Sequence, residues 1–397
     1  MEQLKVIVIG AGMGGLTTAI AMQKAGYEVE VYERVRELRP AGAGISLWSN
    51  GVKVLNQLGL GPKIAKIGGP MEQMAYYSKS GHQLTRFSLA PLIERVGQSP
   101  YPVTRTELQQ MLLDAVGAEK VHLNKRCVEI EQTEETATAI FEDGDRATGD
   151  LVVGADGTHS VVRTYVLGQN QTGQSSLGQM PERRYVGYVN WNGLVPVSED
   201  LAPANSWDMY VGDGQRASVM PVGGDRFYFF LDVPLPKGTP NHPDNYRQEL
   251  LAHFSGWAAP VQTLIERLEP AKTSRVEIHD IEPLESLVNG RVALIGDAAH
   301  STAPDLGQGG CQAMEDAWVL ANYLRTTNLS VSDALKRYED SRRERVAKIV
   351  LGARKRANMT HGKDPAKTQA WYTGLAQENG SNIMNAIAET ILLGPMR

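Results

Sequence analysis

Lys5-Val-Ile-Val-Ile-Gly10-Ala-Gly12-Met-Gly14-Gly15 is the stretch on which the fold turns. Its apolar run after a polar start reads as a parallel strand buried on both faces. Gly10, Gly12 and Gly15 follow directly and open a helix from Leu16 to Ala25, which Gly26 ends; Glu28-Val-Glu-Val-Tyr32 is the next strand. That is a βαβ unit in about thirty residues. The first glycine permits a tight turn, the second lets backbone amides approach a pyrophosphate, and the third seats the helix on the strand. The helix N-terminus then stabilises phosphate charge. A lone glycine triplet is a weak signal. Here it has its strand and helix, and Glu33 follows about twenty residues later, placed to accept hydrogen bonds from a ribose. Arg34 beside it has the look of a 2′-phosphate partner for NADP, but a solvated arginine is the ordinary reading.

A second stretch far along the chain decides between nucleotides. Arg291-Val-Ala-Leu-Ile-Gly-Asp-Ala-Ala-His300-Ser-Thr-Ala-Pro304 is another buried strand running into a turn, and Gly307-Gln-Gly-Gly310 follows. Asp297 can meet a ribityl hydroxyl, and the segment from Pro304 to Gly310 supplies free amides and a helix N-terminus for a flavin ring. Gly-Asp alone would be an ordinary strand–turn–helix. Combined with the N-terminal loop it favours FAD over NAD(P).

Between these ends the character of the chain changes. A helix from Thr106 to Ala115, a strand near Val121, a hairpin around Glu142–Asp145 and the strand Leu151–Asp156 continue the first style. From Arg184 to Val233 apolar and polar residues alternate with frequent aromatics, as in an antiparallel sheet. From Gln312 onward the chain reads as mostly helical, broken near Gly362 and Asp364-Pro365. The expected fold is α/β: a Rossmann-like FAD-binding domain from residues 1–72, 102–180 and 282–330, an inserted antiparallel β-sheet substrate domain from 73–101 and 181–281, and C-terminal helices over 331–397.

Composition narrows the class. A formal net charge of −5 gives no reason to expect nucleic acid or a membrane surface as partner. Two cysteines, Cys127 and Cys311, argue against a disulfide scaffold or a cysteine zinc site and suit a reducing cytoplasm. The chain starts directly with a strand, and nothing reaches the ~18 apolar residues of a spanning helix. His300 lacks ligand-spaced partners, so no metal is expected. Ser160 and Ser301 stand outside a Gly-x-Ser-x-Gly elbow, which argues against a hydrolase. Arg342-Arg-Glu-Arg345 and Arg354-Lys-Arg356 are interrupted by apolar residues at helical spacing and read as a solvated helix face.

Three motifs carry a family resemblance over nearly the whole chain: Gly10–Gly15, Gly154-Ala-Asp-Gly-Thr-His-Ser-Val-Val-Arg163 and Gly296-Asp-Ala-Ala-His-Ser-Thr-Ala-Pro304. They are similar to the signatures of the single-component flavin-dependent aromatic hydroxylases. Tyr188-Val-Asn-Trp-Asn-Gly193, Gly214-Gln-Arg-Ala-Ser-Val-Met-Pro221, Arg226-Phe-Tyr-Phe-Phe-Leu-Asp-Val-Pro234, Ile278-His-Asp-Ile-Glu-Pro283 and Thr360-His-Gly-Lys-Asp364 resemble, more narrowly, the FAD-dependent urate hydroxylases. That resemblance implies tightly bound FAD, NADH as a transient electron donor, dioxygen as co-substrate, and hydroxylation of urate at C5 to 5-hydroxyisourate in a monomer or homodimer. It implies cofactor contacts at Gly10, Gly12, Gly14, Gly15, Glu33, Arg34, Ser46, Arg105, Cys127 (through backbone), Asp156, Asp297, Gly307, Gln308, Gly309, Gly310 and Cys311. It implies urate contacts at Asn190, Arg216, Tyr228, Phe229 and Phe230, with Arg216 and Tyr228 in the catalytic roles.

Urate is flat, polar and largely monoanionic near neutral pH. An aromatic wall, an amide and a guanidinium fork suit it. Strand alternation turns Tyr228 and Phe230 to one face and Phe229 to the other. Taken bare, an aromatic strand is usually core and a sheet arginine usually a surface residue, so the substrate rests on the resemblance. A salicylate- or hydroxynicotinate-type acid also needs a cationic contact. A non-catalytic FAD-binding sensor or scaffold is the alternative of another class. No general base stands out.

Overall fold

The computed structural model describes residues 3–38, 42–168, 182–326 and 329–396. One expected domain boundary, near residues 180 and 181, lies outside them. Lys5–Ile9 runs at the centre of a six-stranded sheet, between Leu151–Gly154 and Glu28–Tyr32 and parallel to both. Val292–Leu294 extends that parallel order beyond Leu151–Gly154, and Val121–His122 extends it beyond Glu28–Tyr32. Val6, Ile7, Val8, Val152 and Val153 have no solvent exposure, because the strands are packed against both helices and a second, antiparallel sheet, and a parallel strand then needs apolar residues on both faces. The helix after the first strand, Met13–Lys24, packs on Arg105–Val116 and on Gly309–Leu324. The two stretches far apart in sequence are therefore neighbours. A three-stranded antiparallel sheet, Cys127–Gln132, Ala137–Phe141 and Arg146–Gly149, stands beside them.

The second large sheet has seven strands in the order Ser274–Asp280, Arg184–Pro196, Arg226–Val233, Gln215–Val222, Ser206–Gly212, Gln73–Ser78, Gln83–Ser88. It is antiparallel except at one join. Ser206–Gly212 pairs in parallel with Gln73–Ser78, joining two segments far apart in the chain.

Register assigns the faces of this sheet. Asn190 stands opposite Asp232, and Asp232 opposite Arg216; Asn192, Phe230 and Ser218 form the next row, and Leu194, Tyr228 and Met220 the one after. The intervening residues, Val189, Trp191, Phe227, Phe229, Leu231, Ala217 and Val219, turn to the other side. There they pack with helices Tyr246–His253 and Ala259–Arg267 into a separate core. The strand Arg226–Val233 carries apolar residues on both faces because each face is covered.

The C-terminal region is three helices, Val331–Thr360, Pro365–Leu375 and Ser381–Leu392. The expected solvated face holds at Arg343, Glu344 and Lys355, which are exposed, and fails at Arg342, Arg345 and Arg354. Arg342 is 1% exposed and donates from Nε to Asp316 Oδ1 and from Nη1 to Glu315 Oε2, both at 2.7 Å. Arg345 pairs with Glu315 at 2.7 Å, and Arg354 with Asp280 at 2.9 Å. Their partners lie on other elements, which helical periodicity cannot reveal. No helix among the described residues is long and apolar enough to cross a membrane.

Candidate active site

The glycine loop is built without slack. Gly10 has φ +108, and a Cβ on Gly15 would come within 1.8 Å of Gly10 O. Around Gly12 there is open space, and the helix it starts has neither a side-chain cap nor an acidic first turn. Its first amides therefore face a place where backbone can approach a ligand, as a pyrophosphate requires. Glu33 lies alongside: Oε2 accepts from Ala11 N at 2.8 Å and Oε1 from Val35 N at 3.1 Å. Arg34 is exposed and joins Arg36 and Arg126 around a surface hollow.

The distant motif closes the other side. Asp297 begins a short helix after Gly296 with its carboxylate exposed. Asp316 Oδ2 holds the turn by accepting from Gly296 N at 3.0 Å and pairing with His300 Nε2 at 2.6 Å. His300 is thus a buried partner of a carboxylate. Arg163 ties the middle motif to the same turn, donating to Ala298 O at 3.1 Å and Thr158 O at 2.7 Å. Asp156 turns inward: it accepts from Ser160 Oγ at 2.5 Å and from Val161 N at 2.7 Å, so its carboxylate fixes the loop.

At Gly307 φ is +62, and a Cβ would meet Ser46 Oγ at 2.6 Å and Trp48 Nε1 at 2.7 Å. Gln308 points its side chain into the protein, where Oε1 accepts from Asn50 and Gln312, both at 3.0 Å. What Gln308 leaves for a ligand is backbone. The helix Gly309–Leu324 again begins without a side-chain cap. Cys127 and Cys311 are buried, and burial pushes both thiols up to about 12. Uncapped helix ends, open space at Gly12 and the exposed Asp297 fit a long dinucleotide. Gly15→Ala should leave the purified protein without bound flavin, because the new methyl group forces helix and loop apart. Flavin absorbance measures this, and wild-type stoichiometry would contradict the close-packing account.

Beside that groove the sheet presents its polar row. Asn190 Nδ2 donates to Asp232 Oδ1 at 2.6 Å, Asn192 Nδ2 to Asn190 Oδ1 at 2.8 Å, and Arg216 Nε to Asp232 Oδ2 at 2.7 Å. The Arg216 guanidinium lies 5.0 Å from the Phe230 ring centroid, and Tyr228 and Phe230 are 5.8 Å apart. Tyr228 packs against Gly44, where a Cβ would approach its ring within 2.5 Å. Nearby, Arg105 Nε donates to Gly44 O at 3.2 Å. Burial outweighs the neighbouring Arg105 charge and pushes the Tyr228 phenol up to about 12, so it remains a donor at neutral pH. Phe229 departs from the expected set. Its side chain is fully buried in the helix-covered core on the opposite face, so only its backbone belongs to this side.

The residue missed in sequence is Asp305. It lies in the single turn Pro304–Leu306, immediately before Gly307. Oδ1 is 3.4 Å from Arg216 Nη2, and Oδ2 accepts from Tyr188 Oη at 2.7 Å. Burial opposes its charge, but His361, Arg216 and Tyr188 together hold its carboxyl below the usual range. Asp232 and Asp305 likewise outweigh the burial of Arg216 and keep it protonated. Asp305 falls between the two stretches that pointed to FAD, in the gap from Pro304 to Gly307. Its partners lie on strands more than eighty residues away.

Residues 3–353 match the FAD binding domain family. A FAD-dependent urate hydroxylase of Klebsiella pneumoniae subsp. pneumoniae is 51% identical over 394 residues, covering 99% of this chain and 100% of that protein. A Mycolicibacterium vanbaalenii protein of the same name is 49% identical, covering 99% and 98%. A crystal structure of a K. pneumoniae protein complexed with FAD and uric acid superimposes with a TM-score of 0.94 at 50% identity, covering 99% and 98%. The chain is therefore a flavin-dependent monooxygenase, built on an FAD-binding α/β domain with a substrate sheet. Within that class it belongs to the family of FAD-dependent urate hydroxylases.

Proposed function

We propose that this chain hydroxylates urate at C5 to 5-hydroxyisourate, with NADH as electron donor and dioxygen as co-substrate. One observation carries the reading beyond kinship. Nearly every polar atom of the sheet row is taken by a neighbour, yet no described residue accepts from Arg216 Nη1 or pairs with Tyr228 Oη. Two free donors beside the Phe230 ring suit a planar anion with adjacent oxygen and nitrogen edges.

Gly10, Gly12, Gly14, Gly15 and the helix they start would hold the pyrophosphate of FAD, and Glu33 its ribose. Asp297 would hold the ribityl chain, and the backbone of Gly307 to Cys311, with Ser46 and Arg105, the ring. FAD bound there, once reduced, supplies the redox chemistry that activates dioxygen and transfers one oxygen atom. The protein does the rest. Arg216 binds the urate anion, Tyr228 donates to an oxygen of the ring, and Asn190 fixes orientation with its remaining amide proton. Asp232 takes Asn190 and Arg216 at 2.6 and 2.7 Å. Asp305, kept ionised by His361, Arg216 and Tyr188, steadies the Arg216 guanidinium from the opposite side. Covered on one side by the sheet and on the other by the cofactor domain, the chamber limits water.

Residues 73–101 and 181–281 would form the substrate domain, and two unpaired cysteines suit a cytoplasmic setting. Stopped-flow flavin reduction by NADH, with urate, xanthine, salicylate or hydroxynicotinate present, tests the substrate. Urate alone should accelerate reduction and be consumed. Acceleration by salicylate with urate inert would overturn the choice of ring, and no acceleration by any compound would favour a non-catalytic flavoprotein.

A further inference from the structure

Thr360-His-Gly-Lys-Asp364 comes from the C-terminal helices, yet His361 reaches the substrate chamber. Its ring lies on Tyr188, with centroids 3.8 Å apart and planes at 24°. Nδ1 is 3.0 Å from Gly214 O, two residues before Arg216, and Nε2 is 3.6 Å from Asp305 Oδ1. The ring is 8% exposed, and Nε2 has no hydrogen-bond partner.

A carbonyl can only accept, so Nδ1 must carry a proton to bond Gly214 O. In the neutral ring Nε2 would then be an acceptor, facing a carboxylate that is also an acceptor. A proton on Nε2 converts that opposition into an ion pair and gives the buried nitrogen a partner. Charge points the same way. Arg105, Arg216 and Asp232 all act on Tyr228, and Arg216 also pairs with Asp305, which makes two cations and two anions. The other groups packed around His361 are Tyr188, Tyr372, whose hydroxyl accepts from Gly214 N at 3.1 Å, and Asp213, which is paired with Lys79. A charged imidazole leaves the chamber net positive, matched to a monoanion. A neutral one leaves no surplus.

We propose that His361 is a positioning residue whose protonated ring holds Asp305 ionised and aimed at Arg216. This rests on the roles assigned to Arg216 and Asp305 above. His361→Asn keeps a donor for Gly214 O and removes the contact with Asp305; His361→Gln keeps reach toward Asp305 without charge. Removing a cation beside a carboxylate makes it easier to protonate, so the acid limb of kcat/KM for urate should move to higher pH in both variants. An opposite charge at this range shifts a carboxylate by about one to three pH units, which sets the expected displacement. The ionisation of urate itself is common to all the enzymes compared. FAD content and the slow reduction by NADH without urate should stay as in wild type, because His361 touches neither the glycine loop nor Asp297. A purely structural role would lower activity without moving the limb.

Asp305→Asn is measured alongside. If it loses urate turnover while the limb of a flavin-loaded His361 variant superimposes on that of wild type, the His361 proposal is overturned and the Asp305 reading stands. If Asp305→Asn turns over urate normally, both fall. If one histidine variant does not load flavin, the other decides.

Discussion

Arg216→Gln retains FAD and loses urate turnover, by roughly thirty- to several-thousand-fold in kcat/KM. The range follows from the cost of truncating one member of a buried, hydrogen-bonded charge pair, about 2–5 kcal/mol. Arg216 is 8% exposed and bridges Asp232 and Asp305. Glutamine keeps a donor near Asp232 and removes the charge that opposes two carboxylates and is proposed to bind urate. The flavin contacts proposed above lie on the glycine loop and around Gly307, none of which touches this side chain, so flavin absorbance should remain. Steady-state kinetics with quantified flavin measures both quantities. Near-normal turnover at full flavin loading would remove Arg216 from its assigned role.

Arg342→Met should be the most damaging substitution outside the chamber. Methionine fills much of the volume but leaves Glu315 only Arg345, and Asp316 only His300, as charged partners. Breaking a buried pair this way costs about 3–5 kcal/mol, a large part of the roughly 5–15 kcal/mol that holds a typical domain folded. Asp316 also fixes Gly296 N and His300, so surviving protein should load flavin poorly. Although burial opposes its charge, Arg342 and His300 bring the Asp316 carboxyl down to about 2. A depressed carboxyl stabilises the fold above its unfolded pKa of about 3.9, and that contribution is lost as pH falls from there toward 2. The variant should lose this part of the acid dependence. Thermal melts against pH with flavin content measure it; an unchanged Tm would refute the network's importance.

These two arginines show what was legible in the sequence and what was not. The nucleotide-binding sheet could be read because its signals are local: an apolar strand, glycines at fixed spacing and an acidic residue at the end of the next strand. Alternation along Arg226–Val233 likewise separated Tyr228 and Phe230 from Phe229 before any coordinates. Arg342 has its meaning in Glu315 and Asp316, on a neighbouring helix with a turn between. Asp305 stood between the two stretches that indicated FAD, yet its partners come from strands and a helix end brought beside it only by the fold. The one parallel join of the large sheet and its covering helices, Tyr246–His253 and Ala259–Arg267, depend on the same long-range closure. Residue type and spacing specify local geometry; pairing across elements belongs to the folded chain.

The central claim is that one chamber, between the Gly307 loop and the Asn190–Asp232–Arg216 row, transfers an oxygen atom from dioxygen to urate. Turnover under heavy-isotope dioxygen, with NADH and urate followed together and the product weighed by mass spectrometry, tests it most directly. The account predicts equal consumption of NADH and urate, with one heavy oxygen in the initial product. NADH oxidation that leaves urate intact, or a product whose new oxygen comes from water, would contradict it.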